Sequence, residues 1–160
     1  MAKKQDKTNV MRILDQKRIP YTAHTYPHGD DPIDGFTVAE MLQRDPNQVF
    51  KTLVARGASK EISVFVVPVQ HELDLKKAAK AIGEKSVAMI HVSEITPLTG
   101  YVRGGCSPIG MKKQYTTVLD VSCLALDTMI VSAGRIGFQV ELAPQTLISL
   151  TNGLTAEITD

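Results

Sequence analysis

Gln48-Val49-Phe50-Lys51-Thr52-Leu53-Val54-Ala55 is an apolar stretch with a lysine where its pattern asks for a hydrophobe. At the two-residue period of a strand, Val49, Lys51, Leu53 and Ala55 share one face, and Phe50, Thr52 and Val54 share the other. Neither face is plainly a solvent face, so the Lys51 stem lies among apolar neighbours whichever way the strand turns. A partly buried ammonium is costly unless a partner or a polar cleft receives it. Two readings follow. Lys51 is either an edge-strand lysine whose amine reaches water, or a cation carried on a rigid strand into a pocket.

The chain around it has 160 residues, one domain by length and enough to bury a core without metal or disulfide staples. Charged residues at 22% and apolar ones at 43% are ordinary for a folded soluble protein. No apolar run reaches membrane-spanning length, and the lysine-containing N-terminus leads into no secretory segment. Cys106 and Cys123 are too few for a disulfide scaffold and fit a reducing cytoplasm. A net charge of +1 is not that of a generic duplex binder, although a local basic patch for RNA remains compatible with it.

Outward from the lysine strand, Gly57 to Lys60 reads as a hairpin turn and Ile62 to Val69 as the return strand, its valine run pointing to a central place in a sheet or barrel. Upstream, Thr8 or Asn9 caps a short helix that Ile19-Pro20 closes. Tyr21 to Tyr26 is a strand, and Pro27 to Gly35 a polar connection. Thr37-Val38-Ala39-Glu40 matches a capping box at the start of a helix ending before Asp45-Pro46. Downstream come a helix over Leu73 to Ile82 with Asp74 in its first turn and Gly83 as C-cap, and a strand over Ser86 to Ile90. His91 to Leu98, with a proline at 97, carries no assignment. Gly100 to Gly110 holds four glycines in eleven residues, a composition that lets backbone approach a ligand and lets successive amides cradle an anion. Thr116 to Asp120, Thr128 to Ser132 and Gly137 to Leu142 are strands. A helix over Pro144 to Leu150 and a tail strand near Ala156 to Thr159 end the chain. Seven or so strands with four short helices predict a mixed α+β domain with a curved, barrel-like mixed sheet and flanking helices.

Three chemistries compete. His24 and His28 suggest metal, but Pro27 breaks any helix between them, and on a strand they stand about 13 Å apart; no ligand motif supports a metal. Cys106 or Ser107 could be a nucleophile with His71 or His91 as base, yet no spacing supplies a third, orienting group, and Cys106 could equally be an apolar filler. The third option relies on binding: Lys51 as fixed charge, glycine-loop amides as donors, and Tyr26, Thr52 and Ser132 as hydroxyls. It suits a substrate that carries its own nucleophile.

Four segments in order resemble the YbaK/EbsC family, freestanding relatives of the editing domain of bacterial prolyl-tRNA synthetase. They are Gln48-Val49-Phe50-Lys51-Thr52-Leu53, Leu73-Asp74-Leu75-Lys76-Lys77-Ala78-Ala79, the Gly100 to Gly110 loop, and Val131-Ser132-Ala133-Gly134. The resemblance implies a barrel-like mixed sheet with surrounding helices and deacylation of mischarged tRNA. In the YbaK branch cysteine is removed from tRNA(Pro), and also from tRNA(Cys), in trans and in some cases beside prolyl-tRNA synthetase. It further implies that Lys51 is the essential lysine and that Tyr26, Thr52, Gly104, Gly105, Ser132 and Gly134 belong to the substrate site, with no metal or cofactor. The mechanism it implies is attack of the cysteinyl thiolate on its own ester carbonyl, closing a thiolactone. Lys51 would then steady developing negative charge or grip the terminal phosphate of the tRNA.

The chain departs from the family pattern at Ala133, where a glycine is usual, and at Gln139, where aspartate is frequent. Gln139 therefore changes pocket polarity. Hydrolysis of Ala-tRNA(Pro) or another mischarged tRNA by a bound water is an alternative activity. A non-catalytic module that binds tRNA or a synthetase, through basic residues such as Arg56, Lys76, Lys77, Arg103, Lys112, Lys113 and Arg135, is the non-enzymatic one.

Overall fold

The computed structural model describes residues 7–160; the N-terminal reading of residues 1–6 falls outside them. Five α-helices and eight strands follow in the order α1 (Asn9–Gln16), β1 (Thr22–Thr25), α2 (Gly35–Leu42), β2 (Phe50–Gly57), β3 (Ile62–Pro68), α3 (Leu75–Ile82), β4 (Val87–Met89), α4 (Val92–Thr99), β5 (Thr116–Asp120), a 3-10 turn (Val121–Ala125), β6 (Met129–Ser132), β7 (Phe138–Leu142), α5 (Pro144–Thr151) and β8 (Leu154–Ala156). The α+β class is as expected. The barrel-like sheet takes the form of two sheets that do not close: β4-β2-β3-β5-β8 and β1-β7-β6.

The valine run explains the layering. β3 lies between antiparallel β2 and parallel β5, so both of its edges are paired, and a core cluster covers each of its faces. Val66 joins Phe50 and Leu119 in a core shared with α1, α5 and the inner residues Val131, Val140 and Leu142 of the small sheet. Phe65 and Val67 point the other way, onto Ala78 and Ala79 of α3 and Ile158. A third cluster, Ala39, Val49, Val69 and Ile130, sits where the sheets meet. Their seam there is one parallel bridge, Val49 with Ile130, where Ile130 N–H donates to Gln48 C=O at 2.9 Å.

Several local expectations are corrected. The box at Thr37–Glu40 does not form, because α2 begins at Gly35 under an Asp34 cap. The Asp34 carboxylate accepts from the Thr37 amide at 2.9 Å and from its hydroxyl at 2.8 Å, so the threonine hydroxyl is already engaged. Asp74 is the N-cap of α3 rather than a first-turn residue, accepting from the Lys76 and Lys77 amides. Residues around 91–98 form a helix despite Pro97; it opens with Glu94 accepting from the His91 amide at 3.1 Å. The tail strand lies at Leu154–Ala156, parallel to β5, and Thr159 keeps only an isolated bridge to Leu73. Among the described residues no helix is long and apolar enough to cross a membrane.

Candidate active site

A cavity of about 290 Å³ opens beside β2 and touches Phe50, Lys51, Thr52, Leu53 and Val54 in succession. Alternate side chains of a strand point to opposite faces, so a cavity meeting five consecutive residues runs along the strand's edge. The hydrogen bonds agree. Odd-numbered residues of β2 face β3, as Val69 N–H to Val49 C=O at 2.8 Å and Gly57 N–H to Glu61 C=O at 2.9 Å show. Even-numbered ones face the other edge, which two different strands cover. The seam to β6 covers its start, at Gln48, and β4 covers its end, where Ile90 N–H donates to Val54 C=O at 3.3 Å and Ala58 N–H to Ser86 C=O at 2.9 Å. Between them the edge is bare, and the bare segment contains Lys51 and Thr52.

The other walls come from several elements. Ser132 and Gln139 stand opposite each other in the β6–β7 register. Tyr26 follows β1, Ile33, Gly35 and Val38 belong to or precede α2, Val92 and Ile95 come from α4, and Arg103, Gly104 and Cys106 from the glycine loop. Gly104 has φ +85°, and a side chain there would strike Pro32 at 2.7 Å. Of the eight residues singled out in the sequence, Tyr26, Lys51, Thr52, Gly104, Ser132 and Gln139 line the cavity. Gly105 and Gly134 stand behind it. Gly105 packs on the Arg135 backbone and its N–H donates to Val102 C=O at 3.0 Å. Gly134, at φ +97°, makes room for Tyr101, and its N–H donates to the Ser132 hydroxyl at 3.2 Å.

Lys51 is neither buried nor free in solvent. Its side chain is 26% exposed, and its Nζ is 3.5 Å from Oε2 of Glu72, which is 79% exposed. Such a long pair with a solvated carboxylate is worth about 0–1 kcal/mol, so a bound anion can displace Glu72. Inside, two buried oxygens have no hydrogen-bond partner among the described residues: Thr52 Oγ1 and Gln139 Oε1. Buried polar atoms are nearly always satisfied, and this pair, both on residues lining the cavity, is free to accept from or donate to a group bound there.

No protein nucleophile is prepared here. Burial pushes the Cys106 thiol up to about 11, against a smaller lowering by Thr99, so it stays protonated at neutral pH. His91 is the N-cap of α4 and Ser107 is fully buried, its hydroxyl accepting from the Ile109 amide at 3.2 Å. His24 is committed to Glu141 at 2.7 Å, while the His28 ring contacts the Gly29 carbonyl at 3.0 Å. Cys106 and Arg103 as lining residues, and the α4 wall, escaped the residue-level reading. The proline had hidden α4, whose Val92 and Ile95 share the cavity wall with the glycine loop.

The chain belongs to the aminoacyl-tRNA editing domain family, whose model matches residues 36–150. It is 48% identical, over 99% of its length and 98% of the relative's, to an Enterococcus faecalis (strain ATCC 700802 / V583) protein that bears the provisional name Cys-tRNA(Pro)/Cys-tRNA(Cys) deacylase EbsC. Two solved structures share the fold. One, described provisionally as a trans-editing enzyme for prolyl tRNA synthetase, superimposes with a TM-score of 0.81 at 22% identity, over 94% of this chain and 96% of that one. The other, a hypothetical protein, gives 0.85 at 19% identity, over 96% and 100%.

Proposed function

We propose that the protein removes cysteine from Cys-tRNA(Pro), and from Cys-tRNA(Cys), acting in trans as a single editing domain in the cytoplasm. The observation that carries this reading is a cavity with a cation and orphaned polar atoms but no activated nucleophile of its own. At about 290 Å³ it falls near the small end of ligand sites, suited to a small aminoacyl group and part of the terminal nucleoside.

The substrate supplies the attacking atom. The cysteinyl thiol gives up its proton, and the thiolate sulfur adds to the ester carbonyl carbon, sending the π pair to oxygen. The tetrahedral species collapses by breaking the bond to the ribose oxygen, which takes a proton. Cysteine thiolactone and tRNA with a free terminal hydroxyl result, with no net consumption of water. Lys51 lies beside the bare strand edge as the cation that orients the acceptor end and offsets negative charge. Tyr26, Thr52, Ser132 and Gln139 shape the pocket, Gly104 brings loop backbone close to it, and Gly105 and Gly134 support that wall from behind. Thiol and carbonyl already belong to one molecule, so the protein's share is to hold them in a reactive rotamer and to offset the charge that develops on oxygen. The reaction so written uses no metal or cofactor. The acceptor end of tRNA(Pro) is the partner, and prolyl-tRNA synthetase is the source from which it arrives.

Purified Cys-, Ala-, Ser- and Pro-charged tRNA(Pro), incubated with the protein, test this directly. Cys-tRNA(Pro) turnover with trapping of the thiolactone is expected. Turnover of Ala-tRNA(Pro) alone would replace the thiolactone route with attack by water, and tight tRNA binding without turnover would make the protein a binding module.

A further inference from the structure

We infer that Arg103 binds the phosphodiester on the 5′ side of the terminal nucleotide, an inference that rests on the deacylase reading and separates phosphate recognition from the reacting ester. Two cations line the cavity, Lys51 and Arg103. Lys51 is set on its strand with its amine beside Glu72. Arg103 is exposed, and among the described residues no carboxylate pairs with its guanidinium. Other arginines are engaged: Arg44 by Glu141, Arg56 by Glu94, and Arg135 over the Phe138 ring at 4.6 Å. The backbone beneath Arg103 is fixed. Gly105 N–H donates to Val102 C=O at 3.0 Å and Gly104 takes φ +85°, so Val102–Gly105 is a tight turn with glycine where a positive φ is required. Pro32 abuts Gly104 and the Arg135 backbone abuts Gly105, which anchors the turn from which Arg103 projects.

The charges of the substrate decide what this cation faces. A cysteinyl ester brings an α-ammonium and a neutral thiol, and its carbonyl oxygen becomes negative only as the nucleophile adds. The nearest permanent anion is the phosphodiester on the 5′ oxygen of the same ribose. A guanidinium is charged at every working pH and presents a planar fork that fits two phosphate oxygens. The rim around it is apolar. Met89 and Val92, which also line the cavity, are 44% and 55% exposed, and Val102, beside Arg103 in the turn, is 50% exposed. Apolar surface next to a cation suits a nucleotide, whose base needs a face to lie against and whose phosphate needs countercharge. With the phosphate held at the turn, the ester on the far side of the ribose reaches inward to Lys51.

The test compares two small substrates, cysteinyl adenosine and the cysteinyl ester of the dinucleotide CpA, which adds the first phosphodiester and the cytidine beyond it. Wild type should prefer the second. Arg103→Gln should cut that preference, taken as a ratio of kcat/KM values, about tenfold and through KM, the low end of what a hydrogen bond to a charged group supplies. The ratio cancels any effect the substitution has on both substrates alike. Arg103→Lys should restore part of it. On Cys-tRNA(Pro), the fall of log kcat/KM with log salt should flatten by about 0.7 in Arg103→Gln, as one lost phosphate contact requires. A preference that Arg103→Gln leaves unchanged would overturn the assignment, making Arg103 solvated surface or, if whole tRNA alone suffers, a contact to a more distant phosphate. Should wild type cleave no cysteinyl ester, the deacylase reading falls by itself, and titration of the 15N-labelled protein still decides Arg103. Unacylated CpA should then shift the Arg103 Nε–H signal; an equal shift with adenosine, or with inorganic phosphate at the same concentration, would defeat the inference.

Discussion

Glu141 and Gln139 stand one residue apart on β7 and have opposite fates. The Glu141 carboxylate, 10% exposed, collects His24 Nε2 at 2.7 Å, Arg44 Nη1 at 3.1 Å, Gln48 Nε2 at 3.2 Å and the Thr128 hydroxyl. Those donors come from β1, from the end of α2 and from the approaches to β2 and β6, so one side chain locks four pieces of the fold together. Gln139, equally buried, offers Oε1 to nothing. A saturated cluster stabilises the protein; an unsaturated one two positions away waits for something outside it. The difference separates scaffold from site more sharply than burial does.

The largest expected effect is on the site side. Lys51→Ala should lower kcat/KM on Cys-tRNA(Pro) by about 100-fold or more, on the scale of losing a strong electrostatic contact, while its unfolding curve stays near wild type because the Glu72 partner is solvated. Retained turnover would make Lys51 a surface lysine after all. Glu141→Ala should do the reverse. Hydrogen bonds to a charged group contribute about 1.5–3 kcal/mol, and a loss of about 2–3 kcal/mol is expected in urea unfolding, with kcat/KM per folded molecule changed less than threefold.

Acid sharpens the same contrast. Burial raises the Glu141 pKa, but the bonds from Thr128, His24 and Arg44 outweigh it and hold the carboxyl below its ordinary value of 4.5. A folded-state pKa below the unfolded one means that the stabilisation is complete above about 4.5 and is lost as pH falls through the lowered value. Urea midpoints measured from pH 6 to pH 3 should therefore decline less steeply in Glu141→Gln than in wild type.

A smaller effect is expected at Gln139→Leu. Removing a buried amide whose oxygen is unpartnered leaves stability unchanged or raises it by about 1 kcal/mol, while deacylation falls about tenfold. A stability loss would show that the amide is paired in solution. Smallest of all, Cys106→Ser should keep wild-type turnover, and the wild-type thiol should alkylate slowly at pH 8, faster toward its pKa of about 11. Collapse of activity with the fold intact would restore a covalent route.

How much of this could be read from residues alone follows from the range of each interaction. Thr116–Asp120 and the buried valine strand were legible, because two-residue alternation and β-branching are local. The Gly83 cap was legible because the left-handed turn, φ +73°, asks for glycine. Thr37 misled because a carboxylate three residues earlier offered two acceptor atoms to the same turn. The His24–Glu141 contact spans 117 positions, and no pattern in either segment announces it. Lys51 stood out as a misplaced charge, whereas the stretch of strand edge it sits on is left without a neighbouring strand by the registers of β4 and β6 on β2.

The lengths of β4 and β6 act as a ruler for the substrate. β4 has three residues and ends at Met89, while β6 meets β2 only at Ile130 and then continues with β7 alone; the cavity opens between these two contacts. Zipping either strand one rung further along β2 would close the mouth from that side, and fraying either would admit a bulkier acyl group. Selectivity in this scaffold can therefore drift through strand termini, far from any side chain that touches the bond being broken.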